Sequence, residues 1–494
     1  MQEPPPVSRA RLHGTRPAIR EGERVVTYAE LLDASARVAA FLLGGRTDLA
    51  EARVAFMAPA GVEYTAVQWG IWRAGGIAIP LSVHATPPEL QHALDDSDAE
   101  AIVVSREYLS HVEGQGRRII LADEAVQSET APLPEISPDR RAMILYTSGT
   151  TSKPKGVVST HANLQAQITA LIEAWEWQAG DRIPLFLPLH HIHGIVNVLG
   201  CALWSGALVE AFPRFDSHIV LPRVAEGAYT LFMAVPTIYA KLASQLEKSS
   251  PENEAIIRGF AGLRLMVSGS AALPASLHQR WSQLTGQVLL ERYGMTETGM
   301  MISNPFHGER RSGAVGQPLP GVEIRLRGEQ GEIITSDGEP GEIQALGPAI
   351  FSEYWRRPEA TAESFEDGWF RTGDMAVRET GYYRILGRLS VDIIKSGGYK
   401  LSALEIEAAL LDHPAIRECA VIGLADDTWG ETVAVAAALE DSAGGFSLED
   451  LQQWSKDRLS SYKLPRRLLV LDSLPRNAMG KVSKKEVAAL FPTR

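Results

Sequence analysis

The chain has 494 residues, 45% of them hydrophobic and 22% charged, with a formal net charge of -12. That length calls for two or more domains, and the acidic balance excludes a uniformly basic nucleic-acid surface while allowing a local basic patch against a phosphate ligand. Only two cysteines occur, Cys201 and Cys419, far apart in sequence, which argues against a disulfide framework and for a reducing, cytoplasmic compartment.

In chain order, MQEPPPVSRARLHG contains no apolar core and is expected to form a short loose tail rather than a secretory signal. Thr27 and Glu30 have the spacing of a capping box ahead of YAELLDASARVAAFLL, where Ala36, Ala39, Ala40 and Leu43 recur at helical spacing. RVAFMAP (53–59) reads as a buried strand, 62–74 as a helix, and GIAIPL (76–81) as a strand. ELQHALDDSD then leads into the strand AEAIVVS. This alternation indicates an α/β architecture with largely parallel sheets, and no 20–50-residue repeat suggests a solenoid or propeller. The longest uncharged run, 183–209, is interrupted by Pro184, Pro188, three histidines and several glycines. A membrane span needs about 20 predominantly apolar residues, so a core strand, a loop and a core helix are expected here instead. The segment GWFRTGDMAVRETGYYRIL reads as turns and short strands and ends near Gly387 and Arg388, where a domain boundary is expected. Beyond it come a strand, the helix SALEIEAALLDH, the strands CAVIGLADD and TVAVAAALE, the helix LEDLQQWSKDRL and a basic tail, enough for a small α+β domain.

The first chemical signal is YTSGTTSKPKG (146–156), after the apolar strand RRAMIL. Glycines and small hydroxylated residues let backbone N–H groups approach an anion, and Lys153 and Lys155 add positive charge, so the segment reads as a triphosphate loop. It lacks the Walker spacing G-x-x-x-x-G-K-[ST]. Further along stand LPLHHIHG (187–194), VSGSAALP (267–274), ERYGMTET (291–298), GWFRTGD (368–374), GRLSVDIIKSGGYKLSALEIE (387–407) and PRNAMGKVSK (475–484). With these segments in this order, the chain resembles the adenylate-forming superfamily of acyl-CoA synthetases, luciferases and peptide-synthetase adenylation domains over nearly its whole length. ERYGMTET with Arg292, SGSAALP and IKSGGYK most resemble malonyl-CoA synthetases.

The resemblance implies a large N-terminal α/β domain, 1–387, that binds ATP and the acid. A small mobile C-terminal domain, 388–494, would carry the catalytic lysine. It implies ATP and Mg2+ as cofactors and coenzyme A as co-substrate, with an acyl-AMP intermediate. Matched motif by motif, Thr147, Ser148, Gly149, Thr150, Thr151 and Lys155 would cradle the β- and γ-phosphates. Glu297 and Thr150 would hold Mg2+. Tyr293 would stack on adenine, and Ser268, Gly269, Ser270, Glu291, Gly294, Met295 and Thr296 would line the nucleotide. Asp374 would accept hydrogen bonds from the ribose hydroxyls, with Arg388 beside ribose and phosphate. Lys481, Glu297 and His191 would be the catalytic residues, Lys481 stabilising charge on the transferring AMP. Rotation about Ser390 or Asp392 would then bring Ser396, Gly397, Gly398, Tyr399 and Lys400 to the site to line the coenzyme A channel.

The choice of acid turns on charge, with the resemblance to malonyl-CoA synthetases tipping the balance. A dicarboxylate leaves a second anion in the acyl pocket, which then needs a cation. Arg292 offers a planar fork matched to a carboxylate, and His193 a further hydrogen bond. Malonate is the expected substrate; methylmalonate differs by one methyl group, worth only ~1–3 kcal/mol of discrimination. The expected partners are thus a small dicarboxylic acid, ATP and coenzyme A, with no nucleic acid and no membrane, in a monomer or weak homodimer. Other readings share the ATP residues: a short- or medium-chain acyl-CoA synthetase, a free-standing loader of a carrier protein, an oxidative luciferase, or a non-catalytic nucleotide sensor.

Structural readings stand beside the functional ones. Asp374 could be a turn residue after Gly373, Glu297 an acid in a first helical turn, and Lys481 a solvated lysine in a run with Lys484 and Lys485. Glu405 and Glu407 are expected on a surface helix, and both cysteines as small buried hydrophobes. In a strand His191 and His193 would share a face; a metal there is disfavoured by the lack of acidic or cysteine partners. Two departures from the family pattern are Ser152, where glycine is usual in the phosphate loop, and a hinge one residue longer than usual before Gly397.

Overall fold

The computed structural model describes residues 2–492 except 148–153, 398, 427, 441–445 and 477–481. Among the described residues the strands assemble into five sheets. The first half of the chain builds a seven-stranded sheet around the parallel strands Arg118–Leu121, Ala101–Val104, Arg53–Met57, Ile77–Pro80 and Arg141–Thr147. Val62–Arg73 and Pro87–Ser97 are its crossover helices. These strands are short runs of apolar, often β-branched residues buried on both faces, as parallel strands covered by helices must be. The strand Lys155–Thr160 turns back antiparallel to Arg141–Thr147, so the proposed phosphate loop connects the two strands of a hairpin.

A second, five-stranded sheet begins with the parallel strands Leu231–Ala234, Leu265–Ser268 and Leu290–Met295 and continues antiparallel through Gly299–Ser303 and Gln317–Pro318. Its helices bury an aromatic cluster: Tyr239, Phe260 and Trp281 are fully enclosed and meet edge to face at centroid distances of 5.0 and 5.2 Å. The Tyr239 hydroxyl, which burial would otherwise leave unmade, donates to the Val267 carbonyl at 2.9 Å. Two further sheets follow. One is an antiparallel sheet whose longest strand, Trp369–Glu379, pairs with Tyr382–Arg388. The other is a final sheet in which Gly430–Leu439 lies between Ile416–Asp426 and the parallel strand Arg467–Leu471.

Several elements differ from expectation. The N-terminus is docked, not loose: Pro5–Ala10 is a helix with Val7 and Ala10 fully buried. Glu3 binds Arg11 at 2.5 Å and reaches Arg73 at 3.4 Å. Two prolines in the helix's first turn favour it rather than loosen it. The expected short strands before Gly387 are one eleven-residue strand in a long hairpin. The basic tail is the helix Lys484–Leu490, anchored by buried Val487. Glu405 is exposed as expected. Glu407 is not: its carboxylate accepts from the Val421 amide at 2.7 Å and pairs with Lys484 at 2.7 Å. Among the described residues no helix is long and apolar enough to cross a membrane.

Candidate active site

The C-terminal ends of the parallel strands Leu265–Ser268 and Leu290–Met295 converge on one crevice, the usual ligand position in an α/β sheet. From the second strand Arg292 enters the interior, 5% exposed, with Nε and Nη2 lacking any partner. Burial pushes its pKa down to about 10, opposed by the charge of Glu291, so the guanidinium stays charged. The first strand ends at Gly269, where a Cβ would overlap the Arg292 guanidinium; glycine there makes room for the fork. Ser270 follows with φ +69°, a left-handed backbone unusual for serine, and its hydroxyl meets His193 Nδ1 at 3.0 Å. Burial and the Arg292 charge hold His193 neutral, and its Nε2 has no partner. Glu291 accepts from the Leu273 amide at 2.9 Å and is raised by burial, its Oε2 unpartnered. One buried pocket therefore holds an unpaired guanidinium and a neutral imidazole, fixed by a glycine and a strained serine.

The histidine segment does not form a strand. Arg182–Leu185 ends early, and a π-helix, His193–Gly200, starts at the last histidine. His191 and His193 thus do not share a strand face. The His191 ring lies against that of His190, tilted by 50° at a centroid distance of 4.2 Å. Among the described residues no cluster of three or more metal-ligating side chains occurs.

Beside this pocket lies a second cluster. Tyr293 donates its hydroxyl to Asp374 Oδ2 at 2.6 Å, and Arg388 Nε donates to Asp374 Oδ1 at 2.9 Å. Asp374 sits inside the strand Trp369–Glu379, not in a turn, directly paired with Arg388 across the hairpin. Burial opposes the Arg388 charge, but Asp374 outweighs it and raises the pKa. Glu297 lies in the tight turn between Leu290–Met295 and Gly299–Ser303, not in a helix. It is 6% exposed, and its Oε1 accepts from the Tyr354 hydroxyl at 2.9 Å. Burial raises its pKa. Lys155 Nζ stands 4.9 Å over the Tyr354 ring, and Thr147 faces Lys155 across the hairpin. The Ser268 hydroxyl is fully buried without a partner. Gly294 cannot carry a side chain, since a Cβ would overlap the Gly299 carbonyl. Met295 and Thr296 carry the strand into the Glu297 turn.

The structure does not join the Ser396–Lys400 loop to this cluster. Ser396 and Tyr399 close a separate hairpin in which Gly397, φ +57°, packs under Trp429. Ser390 lies in the turn after Arg388. Asp392 Oδ2 accepts from the Arg388 amide at 3.0 Å, and its Oδ1 holds Lys484 at 2.6 Å. Ser148, Gly149, Thr150, Thr151, Gly398, Lys481 and the side chain of Lys400 lie outside the described residues.

Sequence reasoning missed Tyr354, which lies 57 residues from its partner Glu297 with no spacing signal. It also missed the exposed surface beside Gly397, where Arg466 covers Trp429 at 4.1 Å and Tyr399 stacks on Tyr462 at 4.5 Å.

At the ends of two parallel strands a polar cluster of Tyr293, Asp374 and Arg388 thus lies beside the buried Arg292 and His193, in keeping with the adenylate-forming architecture. The chain belongs to the AMP-binding enzyme family: its model matches residues 7–355, and the model of the AMP-binding enzyme C-terminal domain matches 405–481. It is 42% identical to the mitochondrial malonate–CoA ligase ACSF3 of Mus musculus, over 98% of this chain and 90% of that protein. ATP-bound MatB from Rhodopseudomonas palustris superposes with a TM-score of 0.89 at 32% identity, covering 99% of both chains. A malonyl-CoA ligase with methylmalonyl-CoA and AMP bound superposes at 0.69 with 40% identity, covering 94% of this chain and 97% of that one.

Proposed function

We propose that the protein is an ATP-dependent, AMP-forming ligase that joins malonate, and also methylmalonate, to coenzyme A through an acyl-adenylate. One observation carries the choice of acid: Arg292 is buried with an unpaired guanidinium. A buried charge without a partner is strongly destabilising, and a substrate's second carboxylate supplies the partner bidentately. A monoacid would leave the charge uncompensated. His193, held by Ser270, adds a neutral donor from Nε2. The malonate–CoA ligase and MatB relatives support this reading.

In the first half-reaction the reacting carboxylate attacks the α-phosphorus of ATP and pyrophosphate leaves. Tyr293 would pack on adenine, with Glu291, Gly294, Met295, Thr296 and the backbone of Ser268, Gly269 and Ser270 as the wall. Asp374, already oriented by Tyr293 and Arg388, would take the ribose hydroxyls. Thr147 and Lys155 stand at the two ends of the phosphate loop. Glu297 fits a Mg2+ ion: it is a hard, buried oxygen donor whose charge nothing beside it neutralises fully, and Mg2+ is held by one or two carboxylates plus phosphates. The ion would neutralise charge on the phosphate oxygens. Lys481 and His191 are assigned to the transferring groups by motif alone.

We place the domain boundary at 387/388. Tyr382–Arg388 still pairs with the large domain's hairpin, whereas Ile393–Ser396 enters the last sheet. Rotation about 388–392 would exchange Lys481 for the Ser396–Lys400 loop before the thiol attacks. The Trp429–Arg466 and Tyr399–Tyr462 faces beside that loop suit a nucleotide base by stacking, as coenzyme A would present. The better match to the ATP-bound relative than to the product-bound one, despite lower identity, supports an arrangement suited to the first half-reaction. A cytoplasmic site of action and a monomeric or weakly dimeric state complete the proposal; the Mus musculus relative is named mitochondrial.

The test is malonate-dependent exchange of labelled pyrophosphate into ATP without coenzyme A, followed by thioester and AMP formation when it is added. Formation of ADP and an acyl phosphate would overturn the adenylate mechanism.

A further inference from the structure

Away from the active site, the sheet of Arg24–Thr27, Pro17–Glu21, Leu208–Ala211 and Arg182–Leu185 bears on one face a cavity of about 220 Å³. Arg20, Arg182, Glu210, Arg223, Glu226 and Tyr229 supply its polar lining. Arg20 stands opposite Glu210 on the neighbouring parallel strand, a position that ordinarily yields an ion pair. It does not do so here, because Glu210 gives both oxygens to Arg223, at 3.1 Å each. The remaining arm of Arg223 takes Glu226 at 2.8 Å. One arginine thus consumes both acids.

The other cations stay uncompensated. Arg182 donates to the Ala228 carbonyl at 2.7 Å and to the Gly227 carbonyl at 3.3 Å, which satisfies hydrogen bonds without neutralising charge. Among the described residues Arg20 has no ion pair. Tyr229 is 4% exposed, and its buried hydroxyl lies beside the Glu210–Arg223 pair without completing a hydrogen bond to either. Three guanidiniums against two carboxylates leave the cavity one positive charge in excess. A buried hydroxyl that completes no hydrogen bond to its neighbours is left able to bond a ligand in the cavity.

We propose that this cavity binds a small oxyanion, a phosphate or carboxylate group, held by Arg20 and Arg182 and hydrogen-bonded by the Tyr229 hydroxyl. Its volume suits a compact anion and is below that of pockets for nucleotide-sized ligands, which run from about 300 Å³ upward. The site is separate from Arg292 and from the nucleotide cluster, and it does not depend on the substrate proposed above.

The experiment is calorimetric titration of the full-length protein with inorganic phosphate and, separately, with malonate. Four proteins are compared: wild type, Arg20→Ala, Tyr229→Phe and Arg292→Ala. Expected is a binding component that survives Arg292→Ala, weakens about tenfold in Arg20→Ala, as loss of a charge-assisted contact implies, and weakens several-fold in Tyr229→Phe. Whichever probe shows it identifies the class of anion. Unliganded melting temperatures serve as the folding control, and Tyr229→Phe, which removes one oxygen, carries the test if Arg20→Ala is destabilised. Equal affinities in wild type, Arg20→Ala and Tyr229→Phe, or loss of all binding in Arg292→Ala, would overturn the proposal.

Discussion

At the scale of the residue, the pocket depends on what surrounds Arg292 as much as on Arg292 itself. Gly269→Ala would place a methyl group against the guanidinium. Overpacking costs about 1–3 kcal/mol, and 1.4 kcal/mol is tenfold in binding. The variant should therefore raise the KM for malonate on the order of tenfold or more, with ATP binding in the absence of acid unchanged; an unaltered malonate KM would show that the fork does not fill that space. A different residue sets an acid limit on the fold. Burial pushes the His161 pKa down to about 3, and its Nδ1 has no partner. A histidine held neutral in the fold and free to protonate when unfolded adds stability above its ordinary value of 6.5 and loses it as pH falls toward 3. His190, pushed down to about 4, adds to the same window. Denaturation curves between pH 7 and 4 should show a shallower loss in His161→Gln than in wild type, and identical slopes would contradict the assignment. Arg292 and His193 were legible as residues from the motif. That the Arg292 Nε and Nη2 and the His193 Nε2 are left without partners was not, because a side chain's partners are set by elements that only the fold brings together.

At the scale of the element, local chemistry carried far. The Thr27–Glu30 capping box is formed, and its helix runs Tyr28–Leu43, as the spacing indicates. The parallel strands were legible because buried strands are near-continuous apolar runs. What failed were elements whose stability comes from distant partners. The helix Lys484–Leu490 looks like a solvated basic tail until Lys484 is seen 2.6 Å from Asp392 and 2.7 Å from Glu407. All three side chains are at most 16% exposed, so the last helix is bolted to the turn after Arg388 by an ion triad. Breaking a buried pair costs about 3–5 kcal/mol by stranding the remaining charge. Lys484→Ala should lose stability of that order in urea denaturation, more than Lys485→Ala, which has a solvated side chain to lose. Equal small effects from both would argue that the triad is a surface feature. The histidine segment misled in the opposite way: a strand-like alternation there is overridden by a helix whose first residue faces the pocket.

At the scale of the whole molecule, the pocket of Arg292 and His193 lies beside the cluster of Tyr293, Asp374 and Arg388, and a last sheet follows residues 388–392. Order along the chain made this legible, since the spaced motifs define the architecture together although each alone is a common turn or loop. The arrangement of the units was not legible, because it depends on contacts between distant segments rather than on any one of them. The same holds for the aromatic surface around Trp429, which is assembled from three segments. The central claim is that a buried, unpaired arginine selects a second carboxylate. The most direct measurement is coenzyme A-dependent AMP release with acetate, butyrate, malonate, methylmalonate and succinate, for wild type and Arg292→Ala. Malonate should give the highest kcat/KM in wild type, and the variant should lose malonate by far more than acetate. A preference for monoacids, or an Arg292→Ala protein that handles malonate like the wild type, would contradict it and leave a short- or medium-chain acyl-CoA synthetase in its place.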